Sequence, residues 1–308
     1  MDSSVPETAS VVRRWGEMIK FSHSVFALPF ALMATFLAAR AAAQRGVAAS
    51  PVPSGMQLLL IVACMVSARS VAMTFNRIVD AAIDTKNPRT AGRALPAGQI
   101  SQKQAVVFLI AAACMFILSC AGFWWWKSNI WPLALSVPVV AYLCFYSYTK
   151  RFTRWSHFVL GSAIAFAPVA AWLAIDPASV GWPALVLMGA VTFWIGGFDI
   201  IYACQDLEFD RQAGLFSLPA RLGPGKALWV ARLAHTCTVI LLIALISLAH
   251  LGVFYIAGVV IVALLLAVEN SLVHPNDFSR VNLAFFTVNG CISLLLGLLT
   301  IADVLLRH

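Results

Sequence analysis

"GMQLLLIVACMVSARSVAMTFNRIVDAAIDTKNPRTAGRALPAG", residues 55–98, decides how the chain is read. Residues 55–79 form an apolar run long enough to cross a hydrocarbon core of about 30 Å, which needs roughly 20 such residues. From Asn76 onward the segment turns abruptly acidic and basic, as a helix does where it leaves lipid. The rest of the chain repeats the apolar part of that pattern. Of 308 residues 61% are hydrophobic and 11% charged, and the mean hydropathy is +0.87, outside the range of soluble domains. Further spans are expected at 21–43, 104–123, 129–147, 157–175, 183–204, 227–249, 252–270 and 281–304. The runs are continuous rather than alternating in polarity, which argues against a transmembrane barrel. The expected fold class is therefore all-α, a polytopic membrane protein with nine transmembrane helices in a single domain over residues 1–308, preceded by a polar segment at 1–20.

The basic residues orient the bundle. Of 21 Lys and Arg, four (Arg40, Arg45, Lys127, Arg307) fall on one side and Arg69 lies inside the second span; the others fall in the N-terminal segment and at the loops after spans two, four, six and eight. The positive-inside rule puts that richer side, with the N-terminus, in the cytoplasm. A pI near 9.4 then reports orientation and anionic lipid, not nucleic acid. The first span exceeds a secretory h-region of about 7–15 residues, so an uncleaved helix is expected although "AARAAAQ" (38–44) mimics a cleavage site. Seven cysteines lie within or beside apolar runs without CxxC or metal-type spacing and read as packing residues. "FWWWK" (123–127) reads as an outer interfacial belt.

The charges converge. Asn76, Asp80 and Asp84 are four apart and Arg69 lies seven before Asn76, so at about 100° per residue they share one stripe. Ionisable groups at a span's end either meet headgroups or face a bundle cavity and mark a functional path. The arrangement recurs at the end of the sixth span, where Asp206 and Asp210 are four apart and Asp199 lies seven before Asp206. Each acid pair is followed by "LPA", at 95–97 and 218–220, a weak echo of an internal duplication. Four carboxylates on one rim need a positive partner. A hard divalent cation such as Mg²⁺ suits oxygen ligands, while Arg89, Arg93, Lys150 and Arg151 on loops of the same side suit phosphate oxygens. The combination points to a diphosphate bound through magnesium.

These residues resemble the UbiA superfamily of intramembrane aromatic prenyltransferases. One signature, NxxxDxxxD with RTxxRxLxxG, stands as Asn76, Asp80, Asp84, Arg89, Thr90, Arg93, Leu95 and Gly98. The second, DxxYxxxDxxxDxxxGxxS and a later glycine, stands as Asp199, Tyr202, Asp206, Asp210, Gly214, Ser217 and Gly223; "YSYTKR" (146–151) and "IKFSHSVFALPFA" (19–31) also fit, while Ala94 departs from the common Pro. The resemblance implies a bundle with a central cavity open to the cytoplasm and to lipid, in the inner (plasma) membrane. It implies Mg²⁺ held by Asp80, Asp84, Asp206 and Asp210 with Asn76 and Asp199 beside them, and a diphosphate steadied by Arg89, Arg93, Lys150 and Arg151. Ionisation of the allylic C–O bond then gives a cation that Tyr146 or Tyr202 faces, and an electron-rich ring attacks it. Asp199 is the candidate acceptor of the ring proton.

Within the superfamily the sequence is similar to the 4-hydroxybenzoate polyprenyltransferase branch of ubiquinone-type synthesis and to a menaquinone branch acting on a dihydroxynaphthoate. The expected partners are thus a polyprenyl diphosphate, an aromatic acid and the bilayer, with no protein or nucleic acid implied. Arg69 or Lys20 is the candidate partner for the acceptor's carboxylate, with an internal ion pair the alternative for Arg69; His23 reads more readily as packing. A secondary transporter also buries acids, but usually near the midplane on broken helices. A CDP-alcohol phosphatidyltransferase needs DG and AR pairs that residues 80–98 lack at the required spacing. "NSLVHPNDFSR" (270–280) is polar enough to cap the cavity mouth.

Overall fold

The structure is a computed structural model and describes residues 14–16, 18–19 and 24–307. Lys20, His23, the first three residues of the first expected span and most of the 1–20 segment lie outside the described residues. Among the described residues nine helices are long and apolar enough to cross a membrane, and no strand forms beyond an isolated bridge at His274 and Asp277. They are α1 (Ser24–Gln44), α2 (Gly55–Asp84), α3 (Gln102–Lys127), α4 (Trp131–Thr149), α5 (Ser156–Ile175), α6 (Trp182–Ala203), α9 (Pro224–Leu248), α10 (Val253–Leu272) and α11 (Asn289–Leu306). Two short helices, α7 (Leu207–Gln212) and α8 (Leu218–Leu222), follow α6, and a π-helical turn, Leu283–Val288, leads into α11.

Local sequence sets the ends. At α2 the Ser54 hydroxyl accepts from Gln57 N–H at 3.3 Å, while the Gln57 side chain accepts from Ser54 N–H at 2.8 Å. Ser101 and Gln104 repeat this reciprocal cap at α3, so each pair satisfies two of the N–H groups that a helix start leaves open. α2 runs five residues beyond its expected end, carrying Asp80 and Asp84 inside the helix. α6 is continued by a tighter turn, Cys204–Asp206, before α7. The turn tightens at Cys204–Asp206, between Asp199 and the Asp206–Asp210 pair, which stays joined by the first turn of α7. The "LPA" echo also diverges, with Leu95–Ala97 in successive turns and Leu218–Ala220 opening α8.

α1 and α6 are the most buried helices. Leu187, Trp194, Ile195, Ile200 and Ile201 of α6 are at most 1% exposed, and α5 and α9 pack against it. Lipid offers little hydrophobic drive between helices, so close approach depends on small residues. Gly161 of α5 lies so near α6 that a Cβ would collide with the Thr192 carbonyl oxygen. Gly297 lets α11 press on Pro29 of α1. The outer surface carries Leu59, Val107, Leu233, Leu264 and Leu298, each more than 60% exposed, as a lipid-facing belt requires. Trp124, Trp125 and Trp126 are exposed on the last turn of α3.

Three of the four basic residues on the sparsely charged side tie loops together. Arg45 pairs with Asp176 at 2.5 and 2.7 Å, Arg40 donates to the Ala249 carbonyl, and Arg307 donates to the His250 carbonyl at 3.1 Å. All seven cysteines are free; Cys114 and Cys291 are exposed on the lipid side, so the packing role expected of them does not extend to these two. Gly161→Ala should lower stability by about 1–3 kcal/mol through overpacking, whereas Gly290→Ala, whose Cβ meets open space, should not; thermal unfolding in detergent with equal melting temperatures for both would contradict the α5–α6 contact.

Candidate active site

Both acid pairs open onto one cavity of about 140 Å³ at the end of the bundle where α2 and α6 finish. Of the expected site residues, Asn76, Asp80, Asp84, Arg89, Arg93, Lys150, Asp206 and Asp210 line it. Asp80 is 2% exposed; its carboxylate accepts from Lys150 Nζ at 2.6 Å, Arg151 at 3.2 Å and Asn76 at 3.0 Å. Asp84 is held by Arg93 Nη1 at 2.7 and 2.8 Å. Asp206 receives Arg89 through two bonds of 2.5 and 2.8 Å, plus Asn87 Nδ2 at 3.0 Å. Burial by itself lowers the Arg89 pKa, but the bonds and charge of Asp206 outweigh it and hold the guanidinium above its ordinary value.

The loop after α2 is shaped for these contacts. Asn87 Oδ1 accepts from Arg89 N–H at 3.0 Å in a two-residue turn, and the Thr90 hydroxyl donates to the Asp84 carbonyl at 3.0 Å, folding the chain back over the helix end. Gly98 closes the loop at φ 72°, a left-handed conformation that an L side chain resists. Gly214, at φ 69°, reverses the chain after α7.

The remaining expected residues stand behind the cavity lining. Tyr202 accepts from Arg89 at 2.9 Å, lies under its guanidinium at 5.2 Å, and is backed by Phe285 at 4.3 Å between ring centroids. Arg151 also donates to the Val79 carbonyl at 2.9 Å. Tyr146 and Arg69 neighbour Arg77 on the inner side of α2. Asp199 does not line the cavity with the other acids. It accepts from His157 Nδ1 at 2.7 Å, and His157 Nε2 accepts from Leu218 N–H at 3.2 Å, which fixes the tautomer with its proton on Nδ1.

Sequence reasoning missed Arg77, Asn87 and His157. The buried line of α2 runs through Ser67, Ser70, Thr74, Arg77, Asp80 and Asp84, so Arg77 is central and Arg69 and Asn76 flank it. Steps of four drift by about 40° per repeat, whereas alternating threes and fours stay on one face; that alternation was the available signal. Arg77 is 6% exposed, lies 4.0 Å from Asp84, and forms no hydrogen bond to another described residue. Asn87 lay inside the quoted loop, but nothing local marks its side chain as a bridge to Asp206. His157 reaches Asp199 across 42 residues of chain, beyond any spacing rule.

Comparison with known proteins adds to the geometry. The sequence profile of the UbiA prenyltransferase family matches residues 27–290. A 4-hydroxybenzoate octaprenyltransferase of Nitrosospira multiformis is 30% identical over 79% of this chain and 81% of its own length. The mitochondrial 4-hydroxybenzoate polyprenyltransferase of Drosophila pseudoobscura pseudoobscura is 31% identical over 53% of this chain, and the match spans only 40% of the fly protein. Among solved structures, the apo UbiA homolog from Aeropyrum pernix K1 aligns with a TM-score of 0.78 and 29% identity over 91% of this chain and 98% of that one. The UbiA homolog from Archaeoglobus fulgidus bound to GPP and Mg²⁺ has the same fold, with a TM-score of 0.70 and 20% identity over 94% and 99%. A polytopic helical bundle with paired acids and bases at one end is thus the class of protein in hand. The chain belongs to the UbiA prenyltransferase family.

Arg89→Lys keeps the charge but loses the planar fork that spans both Asp206 oxygens. Amide hydrogen exchange across residues 86–98 should then speed up by about tenfold, the equivalent of one lost charge-assisted bond of about 1.5 kcal/mol; unchanged exchange would show that the loop is held without this pair.

Proposed function

We propose that this protein is an intramembrane aromatic prenyltransferase that transfers a polyprenyl group from an isoprenyl diphosphate to 4-hydroxybenzoate in quinone synthesis of the ubiquinone type. The observation that carries the reading is the convergence of Asp80, Asp84, Asp206 and Asp210 with Arg77, Arg89, Arg93 and Lys150 on one cavity. The names of the bacterial and fly relatives support the acceptor, and the ligands of the Archaeoglobus fulgidus homolog support the diphosphate and Mg²⁺. The proposed setting is the inner (plasma) membrane, with residues 1–308 as one domain and the cavity and N-terminus on the cytoplasmic side, as the Lys and Arg distribution favours.

The donor chemistry fits magnesium. Asp80, Asp84, Asp206 and Asp210 offer hard oxygens, with the Asn76 amide alongside. Among the described residues no three potential ligands already stand close enough to hold an ion, and Asp80, Asp84 and Asp206 are held by basic side chains that the metal would displace. When bound, Mg²⁺ supplies positive charge against the departing diphosphate.

The chain's own groups account for the rest. Arg89, Arg93, Lys150 and Arg151, once exchanged from the carboxylates, stabilise charge growing on the phosphate oxygens as the allylic C–O bond breaks. Arg77, buried and without a hydrogen bond to another described residue, is suited to receive an incoming anion. Tyr202 and Tyr146 are aromatic neighbours for the allylic cation, inside an apolar bundle that excludes water. Arg69, deeper on α2, is the proposed partner of the acceptor carboxylate. Asp199, oriented by His157, is the proposed acceptor of the ring proton.

Purified protein in lipid nanodiscs, given Mg²⁺ and a prenyl diphosphate, should convert 4-hydroxybenzoate to a prenylated product that keeps its carboxyl group. A prenylated dihydroxynaphthoate product in its place would move the acceptor to menaquinone synthesis, and consumption of neither diphosphate nor acceptor would favour a transporter. Asp80→Ala and Asp206→Ala should each cut turnover by on the order of 10²–10³ without loss of folded protein, and chelation should abolish activity until Mg²⁺ is restored. Arg69→Leu should raise KM for the acceptor more than for the diphosphate.

A further inference from the structure

Away from the motifs, the bundle buries a second polar cluster. Glu269 of α10 and Asn289 at the start of α11 are both 0% exposed. Asn289 Nδ2 donates to Glu269 Oε1 at 2.8 Å and to the Ala284 carbonyl at 3.1 Å, while its Oδ1 accepts from the Trp194 indole N–H at 2.7 Å. Glu269 Oε2 has no hydrogen-bond partner among the described residues. Burying a carboxyl group within a membrane bundle costs free energy, so retaining one points to a geometry that it enforces.

That geometry is the π-helical turn Leu283–Val288, which Asn289 ends. Each residue added to a turn rotates the helix before it by about 100° relative to the helix after it, and it releases a carbonyl from the regular ladder. The Asn289 amide takes up the Ala284 carbonyl, and Glu269 and Trp194 hold that amide from two other helices. Phe285, inside the turn, is thereby presented to Tyr202 at 4.3 Å and to Phe198 at 5.1 Å. Tyr202 in turn contacts Arg89, which grips Asp206.

We propose that Glu269 and Asn289 are positioning residues for the reaction: they lock the π-helical turn so that Phe285 braces Tyr202, and through Tyr202 the Arg89–Asp206 pair, in working register. The proposal rests on the aromatic prenyltransferase reading. A regular α-helical turn there would swing Phe285 off the Tyr202 ring, leaving the phenol and its arginine free to shift.

The test uses the full chain in nanodiscs. Asn289→Leu and Phe285→Leu should each lower kcat by about tenfold with little change in either KM, and the double variant should be no slower than the singles, because both act through one contact. Glu269→Gln, which keeps an acceptor oxygen for Asn289, should retain near-normal kcat where Glu269→Leu does not. A purely structural role would lower the melting temperature while leaving kcat of the folded protein intact, and that result, or additive losses in the double variant, overturns the proposal. If Asn289→Leu does not fold, Phe285→Leu decides, since it removes no polar group; an unchanged kcat there is equally fatal. Hydrogen exchange at residues 198–206 needs no substrate and should rise in Asn289→Leu or Glu269→Leu. Unchanged exchange there overturns the coupling, whereas an inactive wild-type protein whose variants show that rise sinks the prenyltransferase reading alone.

Discussion

Two parallel hydrogen bonds from Arg89 to Asp206 join the loop after α2 to the end of α6. The two acid motifs are more than a hundred residues apart in sequence, and this pair makes them walls of one cavity. Its partners extend the tie. Asn87 reaches the same carboxylate, Arg93 turns back to Asp84, and Lys150 and Arg151 bring the end of α4 onto Asp80. Burial strips these carboxylates of solvent, and Asp80, Asp84 and Asp206 each keep a basic side chain as partner. A site so arranged suits a cationic ligand together with an anionic one, because the first can replace the arginines on the aspartates and the second can receive them.

The bilayer explains why many of the remaining polar groups are satisfied within the protein. In lipid a backbone or side-chain dipole must find its partner inside the protein. Ser67, Ser70, Ser119, Thr192 and Thr300 return their hydroxyls to carbonyls three or four residues earlier in their own helices. Asn289 closes the gap in the ladder left by the π-helical turn. His157 links α5, Asp199 of α6 and the start of α8, so the second motif is fastened to the loop that follows it. Hydroxyls inside regular helix are thus satisfied by their own helix, while Asn289 and His157 serve places where regular helix stops.

Much of this was legible in advance. Helix number follows from the hydrocarbon thickness, and the periodicity of α2 put Asp80 and Asp84 on one face, as the structure has them. The family signatures named most of the charged residues of the cavity wall, though not Arg77. Arg77 escaped because repeated steps of four track a stripe that drifts off the buried face. A spacing of seven predicts a common face for Asp199 and Asp206, but a tighter turn intervenes at Cys204–Asp206 and Asp199 stands beside His157.

The sequence by itself determined the solvent, the helices and the chemical character of one rim, because hydropathy and helical period are local properties that twenty or so residues suffice to express. Tertiary structure alone decided which base holds which acid, that Tyr202 is braced by Phe285, and that Glu269, Asn289 and Trp194 share a buried network. Apart from the pairings of Asp84 with Arg93 and Arg77, those at the cavity and in that network join residues 20 to 117 positions apart. They depend on the angle and depth at which helices pack, and glycines such as Gly161 and Gly297 set that through contacts with distant backbone or proline.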